Sequence, residues 1–143
     1  MQAIRSHLSG LLSTLLLLFL LAGCGQVRPT APVVEPAVRT PASPLLTSAH
    51  QALDRGELRQ AEAYLERAIR LEPRNALLWH TLAQTKYRQE DYRQTVQLCL
   101  RSNALLAPDA PLSRDNYRLM AEAYRKLGQE KKAREAARQA TAI

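Results

Sequence analysis

Glycine is scarce in this 143-residue chain, five in all, and beyond Gly25 only Gly56 and Gly128 remain. No stretch alternates apolar and polar residues over strand length, so a sheet architecture is not expected. Too little glycine remains to form a phosphate-cradling loop. Cysteine occurs twice, as Cys24 and Cys99, too few for a disulfide framework. The three histidines, His7, His50 and His80, stand apart without the Cys, Asp or second His spacing of a metal site. No Ser–His–acid set or zincin motif is present, so neither an enzyme nor a bound metal or diffusible cofactor is expected. The acidic pairs Glu62/Glu66 and Glu90/Asp91 fall beside arginines on expected exposed faces or a turn. Their expected role is i,i+4 pairing and solvation, as for Glu62 beside Glu66, Arg67 and Arg70.

One long apolar run is present, Leu11 to Ala22, and at about a dozen residues it falls short of the roughly 20 a spanning helix needs. With Arg5 before it and small residues after it, the run has the form of a secretory signal over residues 1–23. Leu21-Ala22-Gly23-Cys24 resembles the bacterial lipobox. That resemblance implies cleavage before Cys24, an S-diacylglycerol on its thiol and an N-acyl chain on its new amine. Three acyl chains exceed the two signals that stable anchoring requires. Gly25 stands where an aspartate would favour inner-membrane retention in enterobacterial lipoproteins, so the implied location is the periplasmic face of the outer membrane. Cys99, left alone among Val96, Leu98 and Leu100, reads as a small core residue.

Residues 24–44 hold five of the eight prolines: Pro29, Pro32, Pro36, Pro41 and Pro44. Each removes a backbone donor and biases its predecessor to extended geometry. A disordered, semi-rigid tether is expected, reaching on the order of 60 Å at ~3.1 Å per residue.

Residues 45–143 suffice for one modest domain rich in Ala, Leu, Arg, Glu and Gln. Turn signals at Arg55-Gly56, Glu72 to Asn75, Glu90-Asp91, Ala107 to Pro111 and Leu127-Gly128 divide it into six short helices. Pro73 is read as closing one helix and starting the next. The spacings Ala61…Leu65…Ala68…Pro73, Trp79…Leu82-Ala83…Tyr92 and Tyr117…Met120-Ala121…Tyr124…Gly128…Ala133…Ala140 recur, and they resemble the tetratricopeptide repeat. The implied fold is all-α, a short solenoid of about three helix-turn-helix units over residues 42–75, 76–109 and 114–143. Ala61, Ala83, Ala121 and Ala133 would let paired helices approach, while Leu65, Trp79, Leu82 and Tyr124 fill the space between them. The pattern is uneven. Leu45 replaces the aromatic of repeat one, and its large-small pair is Ser48-Ala49. Repeat two has Glu90 for glycine, Thr95 for alanine and about four extra residues after it. The alanines of the last helix, Ala133, Ala136, Ala137, Ala140 and Ala142, would turn one face to solvent, to a partner or to a second copy.

Tetratricopeptide solenoids bind through the groove lined by the first helix of each unit. Carried onto this sequence, the resemblance implies groove candidates His50 and Leu53 in repeat one. Leu77, His80, Gln84, Tyr87 and Arg88 follow in repeat two, and Arg118, Glu122 and Arg125 in repeat three. Leu53, Leu77 and Tyr87 are equally candidates for the core.

From Cys24 onward nineteen Lys and Arg face thirteen Asp and Glu, and the excess is concentrated after Tyr117. Export excludes nucleic acid, leaving anionic lipid, cell-wall carboxylates or an acidic protein surface as partners of a basic face, with simple solvation as the alternative. A lipid anchor, a proline-rich tether and a compact basic repeat domain together resemble the outer-membrane lipoprotein activators of a bifunctional class A penicillin-binding protein in pseudomonads. This resemblance implies a non-catalytic protein that docks on the periplasmic, non-catalytic domain of the synthase. A pilotin-like lipoprotein assisting secretin or type IV pilus assembly is the alternative.

Overall fold

The computed structural model describes residues 40–107 and 109–142. The signal segment, Cys24 and most of the proline-rich segment lie outside the described residues. Six helices make up the described part: α1 (Ser43–Asp54), α2 (Leu58–Leu71), α3 (Ala76–Arg88), α4 (Tyr92–Asn103), α5 (Pro111–Lys126) and α6 (Glu130–Ala142). No strand occurs among the described residues, and no described helix is long and apolar enough to cross a membrane.

Three of the helices, α1, α3 and α5, stop at a residue in the left-handed conformation. Gly56 and Gly128 take φ +74° and +70°, the left-handed conformation that reverses the chain after α1 and α5. Glu90 holds the same conformation between α3 and α4, at φ +63°, where a side chain strains the backbone. Asp91 then caps α4 by accepting from the Gln94 amide at 3.0 Å. Asn75, not Pro73, starts α3: its side chain accepts from the Leu77 amide at 3.1 Å, and Pro73 lies in the turn before it.

The folded domain begins earlier than the proline pattern implies. Ala42 is buried, and its N–H donates to Glu72 Oε1 at 2.9 Å. Pro44 lies in the first turn of α1, where a missing N–H costs nothing. Hydrogen bonds from Thr40, Asn75 and the Ala42 amide hold the Glu72 carboxyl below the usual glutamate range. The last repeat likewise opens at Pro111, ahead of the boundary expected near residue 114.

Helices pack in consecutive order, α1 on α2, α3 on α4 and α5 on α6, and each pair stacks on the next, with α3 also reaching α5. Small residues permit the close approach: Ala49, Ala61, Ala83, Ala121 and Ala133 are all buried. Leu65, Leu78 and Leu82 fill the space between them, while Trp79 and Tyr124 are only half-buried. Cys99 is fully buried in the cluster formed with Ala83, Val96, Met120 and Ala123, and burial pushes its thiol up to about 12. A thiol so protonated at neutral pH is a packing group and not a nucleophile.

Candidate functional site: the groove of the first helices

Helices α1, α3 and α5 are the first of each pair, and each presents an exposed stripe. On α3 the stripe is Leu77, Gln84 and Arg88, spaced at roughly two turns and then one, so that they share a face. Leu77 keeps 43% of its surface exposed, unusual for a leucine between flanking helices. On α5 the stripe is Arg118, Glu122 and Arg125. His50 is the exposed counterpart on α1. Arg118 meets Asp115 at 3.4 Å with both side chains more than half exposed, a contact worth well under 1 kcal/mol. Its guanidinium therefore remains available.

Tyr87 joins the stripes of α3 and α5. It is half-buried and packs edge-on against Tyr92 with ring centroids 5.4 Å apart. Burial pushes its phenol above the usual tyrosine range, and the nearby Glu122 charge adds to that shift. Arg88 Nη1 donates to the Leu53 carbonyl at 3.1 Å, tying the end of α3 to the end of α1. Beside the α5 stripe an open depression of about 280 Å³ runs between α5 and α6, with Ala121, Ala137 and Ala140 below Arg118 and Arg125.

Two groove candidates belong elsewhere. Leu53 is buried with Ala52 and Ala61, its side chain turned between α1 and α2. His80 is also buried, and its Nδ1 lies 2.7 Å from Asn116 Oδ1. Asn116 on α5 is fully buried; its Nδ2 donates to Ser102 Oγ at 2.8 Å and to Asn103 Oδ1 at 2.7 Å. Ser102 Oγ in turn donates to the Ala76 carbonyl at 2.9 Å. Because both amide hydrogens of Asn116 are taken, its oxygen faces the imidazole and His80 donates from Nδ1. The network couples α3, α4 and α5 inside the core. Asn116 and Ser102 were not singled out from sequence. The signal was present: Asn116 lies on the same α5 stripe as Ser113, Met120 and Ala123, all buried.

The acidic pairs also differ from expectation. Glu62 does not pair within α2; it accepts from Lys86 Nζ at 2.6 Å and from Gln89 Nε2 at 2.8 Å, both on or just after α3. Burial pushes its carboxyl up, but the hydrogen bonds from Lys86 and Gln89 and the Lys86 charge outweigh burial and hold it below the usual range. In the last helix, Ala133, Ala136 and Ala140 are spent on packing within the domain, so only part of the alanine face remains open. No group of three or more His, Cys, Asp or Glu able to hold a metal occurs among the described residues.

The tetratricopeptide-repeat family profile matches residues 48–75 and 116–143, the first and third units. Unit two carries the irregular Glu90 and Thr95, yet its backbone forms the same helix pair. The globular C-terminal domain of P. aeruginosa LpoP superposes with TM-score 0.69 at 33% identity, covering 73% of this chain and 99% of that domain. The chain belongs to the LpoP-like tetratricopeptide-repeat family. The N-terminal domain of stress-induced protein-1 from C. elegans superposes with TM-score 0.66 at 15% identity, covering 71% of this chain and 82% of that one. MamA gives TM-score 0.65 at 20% identity, covering 72% and 58%. These two likenesses are of fold alone. No curated protein matches the chain by sequence. A LpoP-like repeat domain with an exposed mixed groove is a protein-interaction module.

Proposed function

We propose that the protein is a non-catalytic lipoprotein, anchored in the outer membrane by acylated Cys24, that binds a bifunctional class A penicillin-binding protein across the periplasm and activates it. The observation that carries this reading is the 33% identity over nearly the whole LpoP globular domain. It joins the lipobox and the proline-rich segment that precede the domain in this sequence.

The groove supplies the means of docking. Leu77 and Tyr87 offer apolar and aromatic contact, and exposed Arg88, Arg118 and Arg125 add planar donors; Tyr and Arg are among the residue types that dominate interface energetics. Binding alone changes no rate. Activation requires tighter binding to the synthase's active state than to its inactive one, and a tenfold shift needs about 1.4 kcal/mol of difference. Purified protein lacking the acyl chains, mixed with a class A synthase and lipid-linked precursor, is expected to raise glycan polymerisation and crosslinking. Unchanged rates with no complex by pull-down would overturn the reading.

A further inference from the structure

Gly56, Glu90 and Gly128 hold the same left-handed turn in the three units, and counting from that turn puts the units in register. Leu65, Cys99 and Ala137 each stand nine residues after it, and Ala68, Ser102 and Ala140 each stand twelve after it. In unit one the cleft between the paired helices is filled by α3. Leu78 joins Ala68, Leu46 and Ile69 in one cluster, and Leu82 joins Ala49 and Leu65 in another. In unit two the cleft is filled by α5. Asn116, in register with Leu78, bonds to His80 and Ser102, and Met120, in register with Leu82, clusters with Ala83 and Cys99. Twice, then, a pair of side chains at i,i+4 on a following helix closes the cleft.

Among the described residues no helix closes the third cleft. It is the open depression of about 280 Å³ between α5 and α6. Ala121 and Ala140 form its nearly covered base, whereas Ala137 is half-buried and Arg118, Arg125 and Thr141 are exposed around it. Their counterparts in unit two are less open: Cys99 and His80 are buried, and Tyr87 and Asn103 are half-buried. Ala137 is also the smallest side chain at its register position, after Leu65 and Cys99, so this cleft leaves room for a larger inserted group.

The wall of the cleft selects its occupant. Two guanidiniums, Arg118 and Arg125, stand with one carboxylate, Glu122, and Arg125 forms no ion pair among the described residues. A second copy stacked end to end would bring Pro44 and Ser48, the register equivalents of Leu78 and Leu82, and these supply no apolar i,i+4 pair. Pro29, Pro32 and Pro36, ahead of α1, stand too close together for a helical pair of that spacing. A helix from another protein remains.

We propose that the α5–α6 cleft is a docking site for an amphipathic helix of a partner protein, which seats two apolar side chains at i,i+4 against Ala137 and the arginine stems and carries acidic residues opposite Arg118 and Arg125. The inference rests on the domain being a protein-interaction module and not on which protein it binds.

The test uses the full-length protein, ¹⁵N-labelled in detergent micelles, titrated with an alanine-rich helical peptide of about four turns that bears two leucines at i,i+4 and glutamates on the adjoining face. Two control peptides carry alanine for the leucines or glutamine for the glutamates. Amide shifts at Glu122, Ala137 and Thr141 are expected to saturate below about 1 mM with the first peptide. The leucine-free peptide should need at least about tenfold more, and the glutamine peptide about fivefold more. Ala137→Glu should abolish the response. Arg118→Gln with Arg125→Gln should erase the preference for glutamate, while Lys131→Gln with Arg134→Gln, an equal loss of charge at exposed α6 positions outside the cleft, should preserve it. Shifts confined to α1 and α3, equal response to the leucine and alanine peptides, a glutamate preference that survives the loss of Arg118 and Arg125, or no shift up to about 5 mM would each overturn the proposal. So would cleft shifts that grow with protein concentration in the absence of peptide, which would seat a second copy there. The readout involves no synthase, so its failure is separate from that of the activator reading.

Discussion

Asn116 commits both of its amide hydrogens and its oxygen to partners on two other helices, α3 and α4, and it does so with no exposed surface. Removing it leaves the buried His80 donor and the buried Ser102 hydroxyl oxygen without the partners Asn116 gave them, each at about 1–3 kcal/mol. Asn116→Leu is therefore expected to destabilise the domain by about 3 kcal/mol in urea unfolding. Replacing His80 as well should add much less than its cost alone, because the two share one network. Glu90 presents the opposite case. It occupies the left-handed conformation that Gly56 and Gly128 occupy in the other units, and its side chain is exposed with no hydrogen bond among those of the described residues. Glu90→Gly is expected to raise stability by roughly 1 kcal/mol, read as a higher urea midpoint at unchanged slope. The sequence pattern reveals this site because Glu90 stands 34 residues after Gly56, one repeat length. It does not reveal that His80 turns inward, and it leaves Leu53, which is buried, divided between groove and core. Repeat alignment assigns a residue to a helix face, but the edge of that face is buried when a neighbouring first helix lies close, as α5 does beside His80.

At the level of helices, the turn signals were nearly sufficient, since glycine, asparagine and aspartate mark every reversal between α1 and α4 and again before α6. Contacts between repeats were not legible, because they join residues 24 and 27 positions apart in the chain, as Lys86 and Gln89 do with Glu62. Those two bonds fasten α2 to α3 and thus repeat one to repeat two. The Glu62 and Lys86 side chains retain only 23% and 13% of their exposure, so the pair is shielded more than an ordinary surface pair. Glu62→Gln is expected to cost about 1–2 kcal/mol at pH 7. Folded Glu62 binds its proton less readily than the unfolded chain does. The contribution is accordingly complete above the ordinary glutamate range and is lost as pH falls below about 4 through the folded value. Stability curves of the two proteins should converge on acidification. Parallel curves down to pH 3 would show that the carboxylate charge is not what holds the repeats together.

Across the whole molecule, the proposed activator must satisfy two separable conditions, a surface that binds and a length that reaches. For the surface, Arg118→Glu with Arg125→Glu reverses the exposed α5 stripe without touching the core. The change should weaken synthase binding by tenfold or more while leaving the far-ultraviolet circular dichroism and melting temperature unchanged. For the length, Val27 to Pro41 lies between Cys24, the proposed acylation site, and α1, and the domain is already anchored to its own core by the Ala42–Glu72 bond. Deleting Val27 to Val38 while keeping Cys24 therefore leaves every described contact in place and removes roughly 35–40 Å of maximal reach at ~3.1 Å per residue. If the proline-rich segment sets the distance over which the domain works, the deletion should abolish function in cells while the purified, unlipidated protein still stimulates the synthase. Cells that retain full function with the shortened segment would show that reach is not limiting, and the prolines would then serve only to keep the segment from folding.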